Sequence, residues 1–150
     1  MESLATRLVL TAIFGVAMAH FEGVVVVYLR KLLGIPDSGS NRDFNELVPR
    51  VILNIEKTRE AATIIMLVAI GFLTGATWPE RAVFFLWTFA FWDLFYYVSL
   101  YVLIRWPPSL KTTDVLFLIP RPWIAPVWFP AGVSSLTIIA ILVAFFSGLL

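Results

Sequence analysis

Six charged residues lie inside runs of sequence that are otherwise largely apolar: Glu22, Glu56, Lys57, Arg59, Glu60 and Asp93. Glu56, Arg59, Glu60 and Thr63 follow an i, i+3, i+4, i+7 spacing, which on a helix confines them to an arc of about 100°. Lys57 falls off that arc, and its long stem suits it to reach toward the inner headgroups. Asp93 shares a face with Tyr96 and Tyr97 by the same spacing, so two phenols flank one acid. His20 and Glu22 are two apart and point roughly 160° away from each other on a regular helix. Glu22 is therefore the preferred member of any site built with the other helices.

Carboxylates in apolar surroundings either keep their protons or attract a cation, because an isolated charge there is strongly disfavoured. Four acids (Glu22, Glu56, Glu60, Asp93) against one Arg59 leave three negative charges, or two when Lys57 is counted. An oxygen-rich set without thiols suits Fe, Mn, Mg or Ca better than Cu(I). Glu22, Glu56, Glu60, Asp93 and His20 are thus the candidate metal ligands, with Fe or Mn favoured and redox chemistry within reach. Arg59 would orient the carboxylates, and Tyr96 or Tyr97 would support them. Two other readings of the same residues stay open. One is a buried polar knot in which Arg59 bridges Glu56, Glu60 and Asp93; the other is a proton or ion relay along the acids.

Several chemistries are excluded. The chain has one His and no Cys, so haem held by two of its own histidines, thiolate metal sites and disulfides are all ruled out. The Glu-x-x-His pairs of helical di-iron proteins are missing. Neither a Gly-rich phosphate loop nor a Ser-His-Asp arrangement is present, which leaves nucleotide binding and triad hydrolysis without support. No residue is assigned a catalytic role, and whether the protein is an enzyme stays open.

The elements that must position these groups are membrane spans. Of the 150 residues 60% are apolar, 15% aromatic and only 14% charged, far from a soluble domain's balance. At roughly 20 residues per span, one all-α domain of four transmembrane helices is expected, with spans at about 8–29, 51–74, 82–104 and 133–150. Ala17-Met18-Ala19 offers a small-residue cleavage pattern. The apolar run nevertheless continues through Val24 to Leu29, so this segment reads as a span rather than an export signal. Ala12, Gly15, Ala19 and Gly23 form a small-residue stripe on it, suited to close helix contact.

Residues 34–49 form a polar, turn-rich linker, and the second helix is expected to start between Asp43 and Val51. That start places the charged cluster inside the span rather than before it. Counting along each helix from Arg30, Arg50 and Arg105 sets the acids, His20 and Arg59 about 9 to 18 Å into the membrane.

Residues 105–130 carry six of the nine prolines together with Trp106, Trp123 and Trp128. Proline blocks a long regular helix there. An interfacial or shallow re-entrant segment is expected, with the tryptophans as interfacial anchors and a short helix from Val115 to Ile119 capped by Thr113 or Asp114.

Arg30, Lys31, Arg42, Arg50, Arg105, Lys111 and Arg121 flank one side of the bundle, against Arg7 and Arg81 on the other. This bias puts loops one and three in the cytoplasm and both termini outside. The expected partner is the lipid bilayer. Other membrane subunits or a homo-oligomer remain open, with the chain then an accessory subunit of a larger complex. The net charge of +1 gives no reason to expect nucleic acid.

The runs Arg59–Thr63 (REAAT), Phe91–Tyr97 (FWDLFYY) and WPPSL…DVLFLIPRPW between Trp106 and Trp123 resemble those of small, uncharacterised bacterial four-helix membrane proteins. The resemblance covers about two-thirds of the chain. It implies the fold and the neighbourhood of a site, and it carries over no activity.

Overall fold

The computed structural model describes residues 3–35 and 48–150; most of the expected start region of the second helix, from Asp43 onward, lies outside the described residues. Among the described residues, four helices and a hairpin follow one another: α1 Leu4–Leu32, α2 Arg50–Thr74, α3 Trp78–Ile104, β1 Thr113–Phe117, β2 Trp123–Pro126 and α4 Trp128–Phe146. The two longest helices overrun the expected spans. α1 begins where the Ser3 hydroxyl accepts the Thr6 N–H at 3.1 Å, and α3 where Thr77 caps the turn that contains Pro79, both ordinary helix starts. α3 ends at Arg105, which adopts left-handed backbone with φ 58°, just before Pro107 and Pro108 forbid another turn.

α3 is the central element. α1, α2 and α4 each pack on it, whereas α1 and α2 scarcely touch each other. The stripe predicted on α1 makes the α1–α3 contact. A Cβ added to Gly15 would meet the Thr88 carbonyl oxygen at 2.9 Å, and one added to Gly23 would meet Ser99 Cβ at 3.1 Å. Gly71 does the same for α2, with the Arg81 carbonyl oxygen 2.8 Å from the missing Cβ. The Trp87 indole N–H crosses between helices to the Leu8 carbonyl at 2.8 Å. Leu8, Phe84, Trp87 and Ile141 form the core at the Arg7 end, and Tyr97, Leu100, Trp106 and Val127 form it at the hairpin end.

Among the described residues, three helices are long and apolar enough to cross a membrane: α1, α3 and α4. α2 differs because Lys57, Arg59 and Glu60 interrupt its apolar run.

The chain is not purely helical, and the expected short helix over Val115–Ile119 is instead the strand β1. Thr113 pairs with Pro126, Asp114 with Ala125, Val115 with Ile124 and Phe117 with Trp123, with an irregularity between Val115 and Phe117. A five-residue apolar run fits a strand or a helical turn equally well by periodicity. Here Pro120 and Pro122 end the run, and a second apolar stretch is close enough to pair with it. Asp114 is correspondingly a strand residue and not a helix cap. Trp106 also departs from expectation: it is fully buried, with its ring 5.1 Å from the Arg30 guanidinium carbon. Trp123 and Trp128 are exposed, as membrane anchors require.

Two strands alone are marginal, so the hairpin depends on what holds it. Its base is tied by the Val127 N–H to the Thr112 carbonyl and the Trp128 N–H to the Leu110 carbonyl, both at 2.9 Å. Further along, Phe117 stacks on Phe89 of α3 with ring centroids 6.3 Å apart. Phe89 lies eight residues, about 12 Å, along α3 from Tyr97, while Tyr97 holds Asp114 nearer the base. The hairpin therefore runs down along α3 rather than away from the bundle.

Candidate functional site

Because α1 and α2 lean on α3 without closing on each other, a gap remains between them, and β1 forms its fourth wall. The partly open cavity has a volume of about 80 Å³, room for a few waters or one small ion. Glu22 comes from α1, Glu56, Arg59, Glu60 and Thr63 from α2, Trp92, Asp93, Tyr96 and Tyr97 from α3, and Asp114 through Leu118 from the hairpin. The helical periodicities place every one of the predicted residues here except His20. His20 is exposed on α1, on the side away from Glu22, as their angular separation requires. Lys57 is likewise exposed.

Within the cavity the acids are held by different partners, and two of them share Arg59. Arg59 forms ion pairs with Glu22 through Nη1 and with Glu56 through Nη2, the latter at 2.8 Å, and its Nε–H donates to Glu56 at 2.9 Å. The planar guanidinium fork suits this double engagement. Glu22 also accepts from the Trp92 indole N–H at 3.0 Å and from the Thr63 hydroxyl at 3.3 Å. One carboxylate of α1 is thereby held by both neighbouring helices, and these bonds bridge the gap that packing leaves open. The Glu56 side chain is 8% exposed, Glu22 12% and Arg59 27%, so the triad is largely withdrawn from solvent.

Glu60 does not join Arg59. Its two oxygens accept the backbone N–H groups of Leu118 at 2.7 Å and Ile119 at 3.0 Å, at the turn of the hairpin. A hairpin tip has backbone donors that no strand pairs, and Glu60 supplies their acceptor. Asp93 accepts from the Ser134 hydroxyl of α4 at 2.7 Å. Asp114, which is buried, accepts from the Tyr97 hydroxyl at 3.1 Å and from the Val115 N–H at 2.8 Å.

Two predicted pairings are thus redrawn. Arg59 bridges Glu56 and Glu22, where Glu56, Glu60 and Asp93 were expected, and Tyr97 serves Asp114 rather than Asp93. Ser134 and Asp114 were missed as site residues. Asp114 carried a signal as an acid inside an apolar run, but reading that run as a helix turned it into a cap. Ser134 carried none, because a serine in an apolar span is common and its partner is chosen only by how α4 packs.

Among the described residues, no group of three or more His, Asp or Glu side chains is arranged to hold a metal ion. The five predicted ligands are dispersed: Glu60 is turned to the hairpin, Asp93 to α4, Glu22 and Glu56 to Arg59, and His20 to the outside. What the cavity presents is an acidic surround, with five carboxylates and one guanidinium among its lining residues, rather than a converging ligand set.

Measured along α4, Ser134 lies six residues, about 9 Å, from the Trp128 end and about 18 Å from the Phe146 end. Leu150, just past α4, sits beside Leu4 and Arg7. The cavity is therefore closer to the hairpin end of the bundle than to the end that holds both termini.

No family model matches this chain, and neither a curated protein nor a solved structure matches it.

Proposed function

We propose that this chain is a four-span integral membrane protein that holds a small cation in the acidic cavity between α1, α2, α3 and the hairpin. The observation that carries the proposal is the acidic lining of a space of about 80 Å³: Glu22, Glu56, Glu60, Asp93 and Asp114 line it together with Arg59. Charges this far into a bundle are costly, and such groups gather where an ion, a proton or a counter-charge compensates them. Because the acids already accept hydrogen bonds from the protein, the bound ion is held by the field of several carboxylates and by few direct bonds, with water completing its shell. Fe and Mn ions are the first occupants to test.

The same proposal includes sidedness. The excess of Arg and Lys at the hairpin end supports loops one and three in the cytoplasm and both termini outside, so the cavity lies nearer the cytoplasmic face.

Protein purified without chelator and placed in nanodiscs provides the test. Elemental analysis, followed by titration with Fe(II) and Mn(II), is expected to find one bound cation per chain. Asp93→Asn keeps an acceptor for Ser134 but removes a charge, and it is expected to weaken binding at least tenfold. Absence of any bound cation, or equal binding by the Asp93→Asn protein, would overturn the proposal.

A further inference from the structure

We infer that the β-hairpin is the movable wall of the cavity, that Glu60 is its latch, and that a cation drawn onto Glu60 releases it. This deepens the cation-binding reading and, in its last part, rests on it.

Three walls of the cavity are helices, two of them packed on α3 through close backbone contacts, Gly15 against Thr88 and Gly71 against Arg81. The fourth is different in kind. At its base the hairpin is covalently and hydrogen-bonded to α3 and α4, with Val127 and Trp128 donating back to Thr112 and Leu110. Toward its tip few of its backbone positions come close to the helices, and side chains hold it: Leu118 is buried and Trp123 meets Phe129 of α4 with ring centroids 6.0 Å apart. Tyr97 holds Asp114 near the base, Phe89 stacks on Phe117, and Glu60 fastens the tip itself through the N–H groups of Leu118 and Ile119. A segment fixed at one end and fastened at the other by a carboxylate moves about its base when that fastening is lost.

Glu60 also faces the cavity. Its two oxygens are each taken by a backbone N–H, and these are the charge-assisted bonds that a carboxylate makes strongly. A cation arriving on the same carboxylate repels those N–H dipoles and competes for the same lone pairs. Occupancy and latching therefore oppose each other, and by linkage an unlatched hairpin binds the cation more tightly than a latched one. The freed tip donors would find water at the headgroup level, so opening swings the tip toward the interface and widens the mouth of the cavity.

The chain has no cysteine, so a single thiol introduced at Ile119, which is 44% exposed, reports on the tip alone. Alkylation by a water-soluble maleimide in nanodiscs needs the thiolate, which forms only where water reaches it. The expected result is slow labelling of Ile119→Cys in the otherwise unchanged chain. Adding Glu60→Ala should make it at least tenfold faster, Glu60→Gln should give an intermediate rate, and Lys57→Ala should change nothing. Saturating Mn(II) should speed labelling of the chain that retains Glu60.

Equal labelling rates with and without the Glu60→Ala substitution, in proteins that stay monodisperse and equally helical, would overturn the latch. Should Glu60→Ala fail to yield folded protein, the same comparison with Glu60→Gln decides it. The two proposals fail separately. Faster labelling in Glu60→Ala with no cation bound by any variant keeps the latch and removes the cation. A bound cation with labelling indifferent to Glu60 does the reverse.

Discussion

At the scale of single residues, the site is organised by which side chain each acid finds. Glu22 is central because it meets Arg59, Trp92 and Thr63 at once, joining α1 to helices that contact it in different ways. Removing the guanidinium leaves Glu22 and Glu56 facing each other with no counter-charge. Breaking a buried pair in this way costs about 3 to 5 kcal/mol at full burial, and less here because the Arg59 side chain is 27% exposed. Arg59→Leu is accordingly expected to lower the thermal midpoint in mild detergent clearly, and Arg59→Lys to recover only part of the loss, since an ammonium cannot form the planar double engagement. A double-mutant cycle of Arg59→Leu with Glu22→Gln should show that the two losses are not additive; additive losses would mean that the pair contributes nothing. The residue types and the helix faces of this site were legible in the sequence, because 3.6-residue periodicity fixes direction on one helix. The partners of Arg59, Glu60 and Asp93 were not, because each lies on a different element.

At the scale of elements, the helices and the hairpin obey different rules. Helix placement followed from apolar length, and the Ala12, Gly15, Ala19, Gly23 stripe foretold where α1 would approach α3, since without a hydrophobic drive between spans close packing needs small side chains. Two glycines make a matched test. Gly15→Ala would put its Cβ 2.9 Å from the Thr88 carbonyl oxygen, and separating two packed helices costs about 1 to 3 kcal/mol. Gly132 has open space around its missing Cβ, so Gly132→Ala gains helix propensity of up to about 1 kcal/mol. Thermal unfolding in the same detergent should therefore move in opposite directions for the two substitutions. The hairpin was hidden for a physical reason. Strand pairing joins Thr113–Phe117 to Trp123–Pro126 across a turn, and neither run has a period that distinguishes it from a helical turn.

At the scale of the whole molecule, the asymmetry between the two ends is the main feature. Leu4 and Leu150 lie with Arg7 at one end; the hairpin and the cavity lie at or near the other, with Arg30, Arg105 and Lys111. An impermeant thiol reagent applied to intact cells is expected to label Thr77→Cys and Gly148→Cys, and to reach Lys111→Cys only after the membrane is opened. The reverse pattern would invert the proposed topology. Composition and charge placement by themselves determined that this chain has membrane-compatible helices, and the spacing of Glu56, Arg59, Glu60 and of Asp93 with the two tyrosines determined that one face of each of two helices is polar. Those are local properties, readable because a helix repeats regularly along the chain. Only the tertiary structure decided that α1 and α2 stand apart on α3, that a hairpin fills the fourth side, and that Glu60 serves backbone donors rather than joining a ligand set with Glu22, Glu56 and Asp93. Those outcomes depend on contacts between residues far apart in sequence, which no local pattern encodes.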